Sequence, residues 1–201
     1  MNQYDAKYDQ DAYYWGTRPS TMCLEVLKLM PPDRHIRLLD IGCGEGRNAV
    51  FFARNGYDVS AFDVSAKGVE KTLKLAERCG VRVNAFQADL LAFRLEDEYD
   101  ILFSTGVLHY IPPELRAEVF GNYKQFTRPG GLNVFSVFVR KPFIGKAPDS
   151  ETTAQKWISG ELFTHYHDWR IEFCTEQVFD CTSSGVPHQH AVNRMIARRT
   201  S

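Results

Sequence analysis

A chain of 201 residues that is 44% hydrophobic and 13% aromatic has apolar material for one substantial core and is cramped for two full domains. Its 24 basic and 25 acidic residues leave a net charge of -1, with no run of like charge to track a phosphate backbone, so neither nucleic acid nor an anionic membrane is an expected partner. The leading MNQYDAKYDQD is polar and acidic where a secretion signal is basic and then apolar, no stretch approaches the roughly 20 apolar residues that span a bilayer, and the five cysteines contain no CxxC pair; a cytoplasmic, reducing location is expected, without a disulfide framework or zinc ribbon.

In chain order, residues 1–35 read as a mobile arm, an aromatic cluster YYWG, and a helix over 20–30. From residue 37 to 103, short apolar runs alternate with helical ones, the pattern of βαβ units and a parallel sheet. The first strand is RLLDI, followed by a glycine-rich turn and a helix NAVFFARNG that Gly56 ends. A second strand, YDVSAFD, leads through Ser65, a helix cap, into AKGVEKTLKLAERCG, also closed by a glycine. VRVNAF is the third strand and YDILFST the fourth; Pro112 and Pro113 open a helix running toward Phe126, and the turn TRPGG launches the strand LNVFSVFV. Residues 141–160, rich in proline, glycine, serine and threonine, predict a surface loop over one end of the sheet, a common place for specificity. A short helix over 161–166 and the strands WRIEFCT and HAVNRMIA complete the chain. The expectation is one domain over 1–201, with an arm and helix (1–35), a core (36–140) and a loop with C-terminal strands (141–201). Its fold class is α/β: a doubly wound sheet, mostly parallel with an antiparallel strand near the C-terminus, and helices on both faces.

The central motif is LLDIGCGEGRN, in which a buried strand runs into glycines 42, 44 and 46 and then a helix. Glycines open dihedrals closed to other residues and let a ligand lie against bare backbone at a helix N-terminus, where free N–H groups favour a carboxylate or a phosphate. A dinucleotide fold uses GxGxxG, whereas this loop is GxGxG preceded by Asp40. Asp63 ends the second strand about 20 residues past the turn, where an acid accepts both hydroxyls of a ribose diol and repels a ribose phosphate; Val64 adjoins it. The loop resembles the glycine motif of class I S-adenosylmethionine-dependent methyltransferases. That resemblance implies that Asp40, Gly42, Cys43, Gly44 and Gly46 serve the cofactor's methionine portion, that Asp89 with Leu90 beside it reads the adenine amino group, and that Thr105 and Gly106 flank the methionine part. Arg47 and Asn48 either cap the helix or reach the cofactor's carboxylate, and Cys43 is a small packing residue rather than a nucleophile. The plain alternative is that the three acids are ordinary turn residues and the glycines only shape a bend.

Within that class, GRNAVFFARNGYDVSAFD, TRPGG and the closing MIARR are similar to the tellurite-resistance methyltransferase family. The resemblance implies a small-molecule methyl acceptor, a metalloid oxyanion such as tellurite or a thiol, with S-adenosylhomocysteine as product. A sulfonium methyl is already electrophilic, so the protein has mainly to align a nucleophile and exclude water; a soft acceptor needs no base, an oxygen or nitrogen acceptor needs one. His109, in GVLHYIPPE, is the candidate for taking a proton or steering an anion, or else it packs on Tyr110. Tyr13, Tyr14 and Trp15, followed by Arg18, form either a lid whose rings face the sulfonium while Arg18 meets a carboxylate, or an anchor for the arm. His188 and His190 share a strand face and His165 and His167 repeat the spacing, but no third ligand is fixed, so no metal is expected. The rivals are a nucleotide-dependent oxidoreductase, a non-catalytic cofactor-binding module and an enzyme acting on protein or RNA. Monomer and homodimer are both open.

Overall fold

The seven strands of the computed structural model form one sheet in the order β3-β2-β1-β4-β5-β7-β6, and residues 3–147, 157–182 and 185–200 are described. The expected loop over 141–160 therefore lies partly, at 148–156, outside the described residues. The strands are β1 (Arg37–Ile41), β2 (Asp58–Asp63), β3 (Asn84–Gln87), β4 (Tyr99–Thr105), β5 (Thr127–Val139), β6 (Arg170–Cys181) and β7 (His188–Arg198). The helices are α1 (Gln3–Tyr8), α2 (Met22–Leu29), α3 (Arg47–Arg54), α4 (Ala66–Arg78), α5 (Pro113–Gln125) and α6 (Glu161–Thr164), with a 3-10 turn at Leu108–Tyr110. β3, β2, β1, β4 and β5 pair in parallel, and β7 runs antiparallel to both β5 and β6. This is the doubly wound sheet expected from the sequence, with its antiparallel strand near the C-terminus.

Two cores form because side chains alternate across each strand. Leu38, Ile101 and Phe103 point to the face covered by α2, α3 and α4, and meet Val26, Phe52 and Leu75. Leu39, Leu102 and Phe135 point to the other face, where α5 supplies Val119, Phe120 and Tyr123 and Trp157 fills the layer. Burial on both faces explains why β4 reads as a continuous apolar run. Ser65 caps α4 by accepting the Gly68 N–H at 3.0 Å, and Pro113 opens α5 where a missing N–H costs nothing.

Four boundaries differ from expectation. The arm contains a short helix, α1. The third strand begins at Asn84, not Val81, because Val83 is buried against the core before the chain joins β2. The TRPGG segment is the start of β5, not a turn before it: a register shift between Tyr99 and Ile101 absorbs the extra residues. A Cβ on Gly131 would stand 2.7 Å from the carbonyl oxygens of Asp100 and Arg128, so only glycine fits there. β6 and β7 are longer than WRIEFCT and HAVNRMIA because the edge strand carries the polar run TEQVFDC, which hides its alternation.

Candidate functional site

β1 and β4 are neighbours, yet the chain leaves β1 toward β2 and returns to β4 on the other side, so a crevice opens beyond their C-terminal ends, where open α/β sheets bind ligands. A cleft of about 330 Å³ occupies it. The glycine loop forms its floor. Gly42 and Cys43 donate their N–H groups to the Phe62 carbonyl at 2.9 Å, which fastens the loop to the end of β2. Gly42 and Gly44 have φ of +70° and +55°, and a Cβ on Gly42 would stand 2.4 Å from Val107 Cγ1. Gly68 lets the first turn of α4 approach, since a Cβ there would lie 2.7 Å from the Gly44 oxygen.

Asp63 organises the loop: Oδ2 accepts the Gly44 N–H at 2.8 Å and Oδ1 the Ser65 N–H at 2.9 Å. Burial raises its carboxyl above the usual range, against the pull of those donors. Asp40 is buried beneath the loop, and burial raises it to about 7 although the Arg47 charge and the Ala49 N–H draw it down. Among the described residues, its Oδ2 has no hydrogen-bond partner. Asn48 braces the site, with Nδ2 donating to Thr105 Oγ1 at 3.2 Å and Oδ1 accepting the Ser20 N–H at 2.9 Å. Cys43 is buried, and desolvation holds its thiol well above the ordinary range.

The arm lies across this floor. Lys71 Nζ pairs with Glu45 Oε1 at 2.6 Å and donates to the carbonyls of Gln10 and Ala12 at 2.9 and 2.6 Å; Glu45 Oε2 accepts the Trp15 N–H at 3.2 Å. Arg47 Nη1 donates to the Trp15 carbonyl at 3.3 Å, and Trp15 Nε1 to Tyr8 Oη at 3.1 Å. Tyr4 and Tyr8, one helical turn apart on α1, stack at 5.7 Å, and the Tyr4 and Tyr110 hydroxyls are 2.6 Å apart.

Of the residues singled out in the sequence, Trp15, Gly42, Cys43, Gly44, Arg47 and Asn48 line the cleft on the arm and loop side. Asp63, Val64, Asp89, Leu90, Thr105 and Gly106 line it along the strand ends. Asp89 lies exposed at the rim, its Oδ1 accepting the Leu91 N–H at 2.9 Å. Tyr14 turns outward, edge-on to Trp15 at 4.8 Å, and Arg18 is exposed; neither lines the cleft. Gly46 packs instead toward Thr72, and Asp40 stays under the loop. His109 is 8% exposed, 4.2 Å ring to ring from Tyr110 and 5.2 Å from Phe138, so it backs two lining residues without lining the cleft itself. His165 stacks on Phe120 at 4.7 Å, and desolvation lowers its pKa. Sequence reasoning missed Tyr4, Tyr8, Tyr110 and Phe138; two tyrosines four residues apart in an otherwise polar arm were the available signal for the first pair.

The family described as tellurite resistance protein TehB matches residues 2–184 of this chain. Hemagglutinin 1 of Eikenella corrodens is 33% identical over 136 residues, covering 67% of this chain and 44% of that protein. A probable S-adenosyl-L-methionine-dependent methyltransferase TehB of Haemophilus influenzae is 26% identical over 149 residues, covering 74% of this chain and 50% of its own length. The crystal structure of TehB from Haemophilus influenzae superposes with a TM-score of 0.79 at 22% identity, over 98% of this chain and 65% of that one. The chain thus spans about half the length of the curated relatives it matches.

Proposed function

The chain belongs to the TehB family of tellurite-resistance proteins, and from that premise we propose that it is an S-adenosylmethionine-dependent methyltransferase whose acceptor is a small, soft nucleophile, a metalloid oxyanion such as tellurite or a thiol. The observation that carries the reading is the cleft itself: a left-handed glycine loop pinned by Asp63, with Asp89 at the next strand end, around one space of about 330 Å³.

The residues present fit the cofactor. Each Asp63 oxygen accepts one backbone N–H and keeps a lone pair for a ribose hydroxyl. Phe62, Leu90 and Leu91 offer apolar walls to an adenine ring whose amino group meets Asp89 at the rim. The orphaned Asp40 oxygen, under the loop, gives negative potential where an α-ammonium would lie. Tyr4, Tyr8 and Trp15 line the cleft with aromatic rings, a side-chain type that attracts a sulfonium. Bound there, S-adenosylmethionine supplies an electrophilic methyl group. The chain's own work is then to hold that methyl in line, and to exclude water by closing the arm through Lys71 and Glu45. With the adenine end at Asp89 and the methionine end at Thr105 and Gly106, the wall of Tyr4, Tyr110 and Phe138 is left for the acceptor. A tellurite-like oxyanion attacks through its own lone pair, and a thiol does so as the thiolate, having already released its proton to solvent; no base of the protein is then needed, and His109 acts by positioning Tyr110 and Phe138.

Titration calorimetry with S-adenosylhomocysteine tests the cofactor half, and transfer of labelled methyl to tellurite, selenite and small thiols tests the acceptor half. Absence of binding heat would sink the reading. Binding without transfer to any acceptor would favour a sensing module, and a melting shift with NADH in its place an oxidoreductase.

A further inference from the structure

We propose that Cys181, His188 and His190, on the β6–β7 hairpin, form a site for a borderline-soft divalent cation of the zinc(II) kind. None of the three lines the cofactor cleft, although His190 packs on Phe138 of its wall, and the proposal stands whether or not methyl transfer does.

The register builds the cluster. Cys181 lies directly opposite His188 in the antiparallel ladder, and His190 follows two residues on, so all three side chains leave the same face of the hairpin. One ligand atom from each comes within 4.8 Å of the others, at half-buried positions. His190 also packs against Phe138 at 5.0 Å and Phe179 at 5.7 Å, an apolar backing that lowers competition from water.

The tautomer favours coordination. His188 Nδ1 is 2.7 Å from the Val186 carbonyl oxygen, which only accepts, so Nδ1 carries the proton and Nε2 keeps its lone pair. A backbone carbonyl holding the far ring nitrogen is the usual support of a metal-binding histidine. That Nε2 lies 2.9 Å from His190 Nε2, which donates to it when both rings are neutral. Two nitrogens on one tetrahedral zinc, each at about 2.0 to 2.1 Å from it, stand about 3.3 Å apart. A small rotation of two side chains therefore replaces the shared proton by a cation. The Cys181 thiol gives up its proton as the sulfur–metal bond forms, and the His190 proton moves from Nε2 to Nδ1, so one proton is released per cation and a fourth position is left to solvent. One thiolate with two imidazoles selects zinc, cobalt or copper over magnesium and calcium.

The experiment uses the full chain, reduced and stripped with a chelator, titrated with cobalt(II) chloride and then zinc(II) chloride. One equivalent of cobalt should give visible bands of tetrahedral intensity and a sulfur-to-cobalt charge-transfer band, both bleached by one equivalent of zinc, with one proton released in weak buffer. Cys181→Ser should abolish the charge-transfer band, and His190→Gln should weaken zinc binding about tenfold or more. Cys174→Ser, on the same strand but exposed, should change nothing. The proposal is overturned if the unaltered chain gives no cobalt spectrum at stoichiometric addition, or if the charge-transfer band survives Cys181→Ser or is lost with Cys174→Ser.

Discussion

Aspartates are buried at both ends of the central strands, and the two ends treat them in opposite ways. At the N-terminal end, Asp100 opens β4 at 2% exposure and accepts the Arg37 N–H at 2.9 Å, Arg34 Nη2 at 3.0 Å and Arg128 Nη1 at 3.2 Å. At the C-terminal end, Asp40 and Asp63 are 1% and 7% exposed and, among the described residues, have no ion-pair partner; burial raises both. An acid whose charge the protein compensates holds the fold together. An acid whose burial outweighs the donors and charge set against it is poised for something that arrives from outside.

If the two ends differ in this way, substitutions at them should trade stability against binding. Asp100→Ala removes the shared partner of two guanidinium groups and should cost about 3 kcal/mol of stability while leaving affinity for S-adenosylhomocysteine unchanged. Asp63→Asn should shift the balance toward binding: about 100-fold weaker affinity, and a smaller stability cost of about 1 to 2 kcal/mol, because its amide nitrogen can no longer accept one of the two backbone N–H groups of Gly44 and Ser65. Denaturant melts and calorimetry on the two variants read both quantities. Loss of binding in the Asp100 variant with retention in the Asp63 variant would reverse the assignment of the ends.

The site end does contain one compensated charge, and it sharpens the rule. Lys71 and Glu45 are both buried, and together they tie the arm at Tyr8, Gln10, Ala12 and Trp15. Lys71→Met strands the Glu45 carboxylate and releases those carbonyls, so the arm should open to limited proteolysis and cofactor affinity should fall about tenfold. An arm equally resistant in the variant would show that it is fastened elsewhere.

How much of this was legible in the sequence follows the same division. The glycine loop was readable because its chemistry is local: strand, turn and helix lie within a dozen residues, and the φ angles that demand glycine leave a visible mark in LLDIGCGEGRN. Asp63 was readable because it closes β2, and Asp89 because it follows β3 by two residues, where the resembled family carries an acid. Lys71 was not, because its partners lie about 60 residues away in the arm and a lysine inside an amphipathic helix looks like a solvated one. Tyr110 and Phe138 were hidden for a like reason, being brought to the cleft only by β4 and β5 lying side by side. Cys181 joined HQH only through the antiparallel register of a hairpin whose strands ran further than their pattern showed.

Asp40 connects the comparison to pH. A carboxyl raised to about 7 binds its proton more tightly in the folded chain than in the unfolded one, so it favours the native state at low pH and that advantage is lost as pH rises toward 7. A cofactor ammonium above the loop favours the carboxylate, so affinity for S-adenosylhomocysteine should tighten about three- to tenfold from pH 6 to 8, with a proton released on binding. Calorimetry in buffers of different ionisation heat measures that proton, and Asp40→Asn should abolish both trends. A slope that persists in the variant would assign the titration to another group.

The smallest effect is expected at His109, and it asks whether a buried polar ring at the site end obeys the rule for acids. His109 stands behind Tyr110 and Phe138 and does not itself line the cleft, so its contribution is the placement of those two rings. His109→Ala should cost about 1 kcal/mol of stability through lost packing. With a soft acceptor it should lower turnover only a few-fold, leave cofactor affinity unchanged and keep the shape of the pH–rate profile, because no proton passes through the ring. His109→Phe, which restores an aromatic surface without a titratable nitrogen, should recover most of the lost turnover. A profile that loses a limb near neutral pH in both variants would instead make the imidazole a base, and would mean that the acceptor arrives carrying a proton that has to leave.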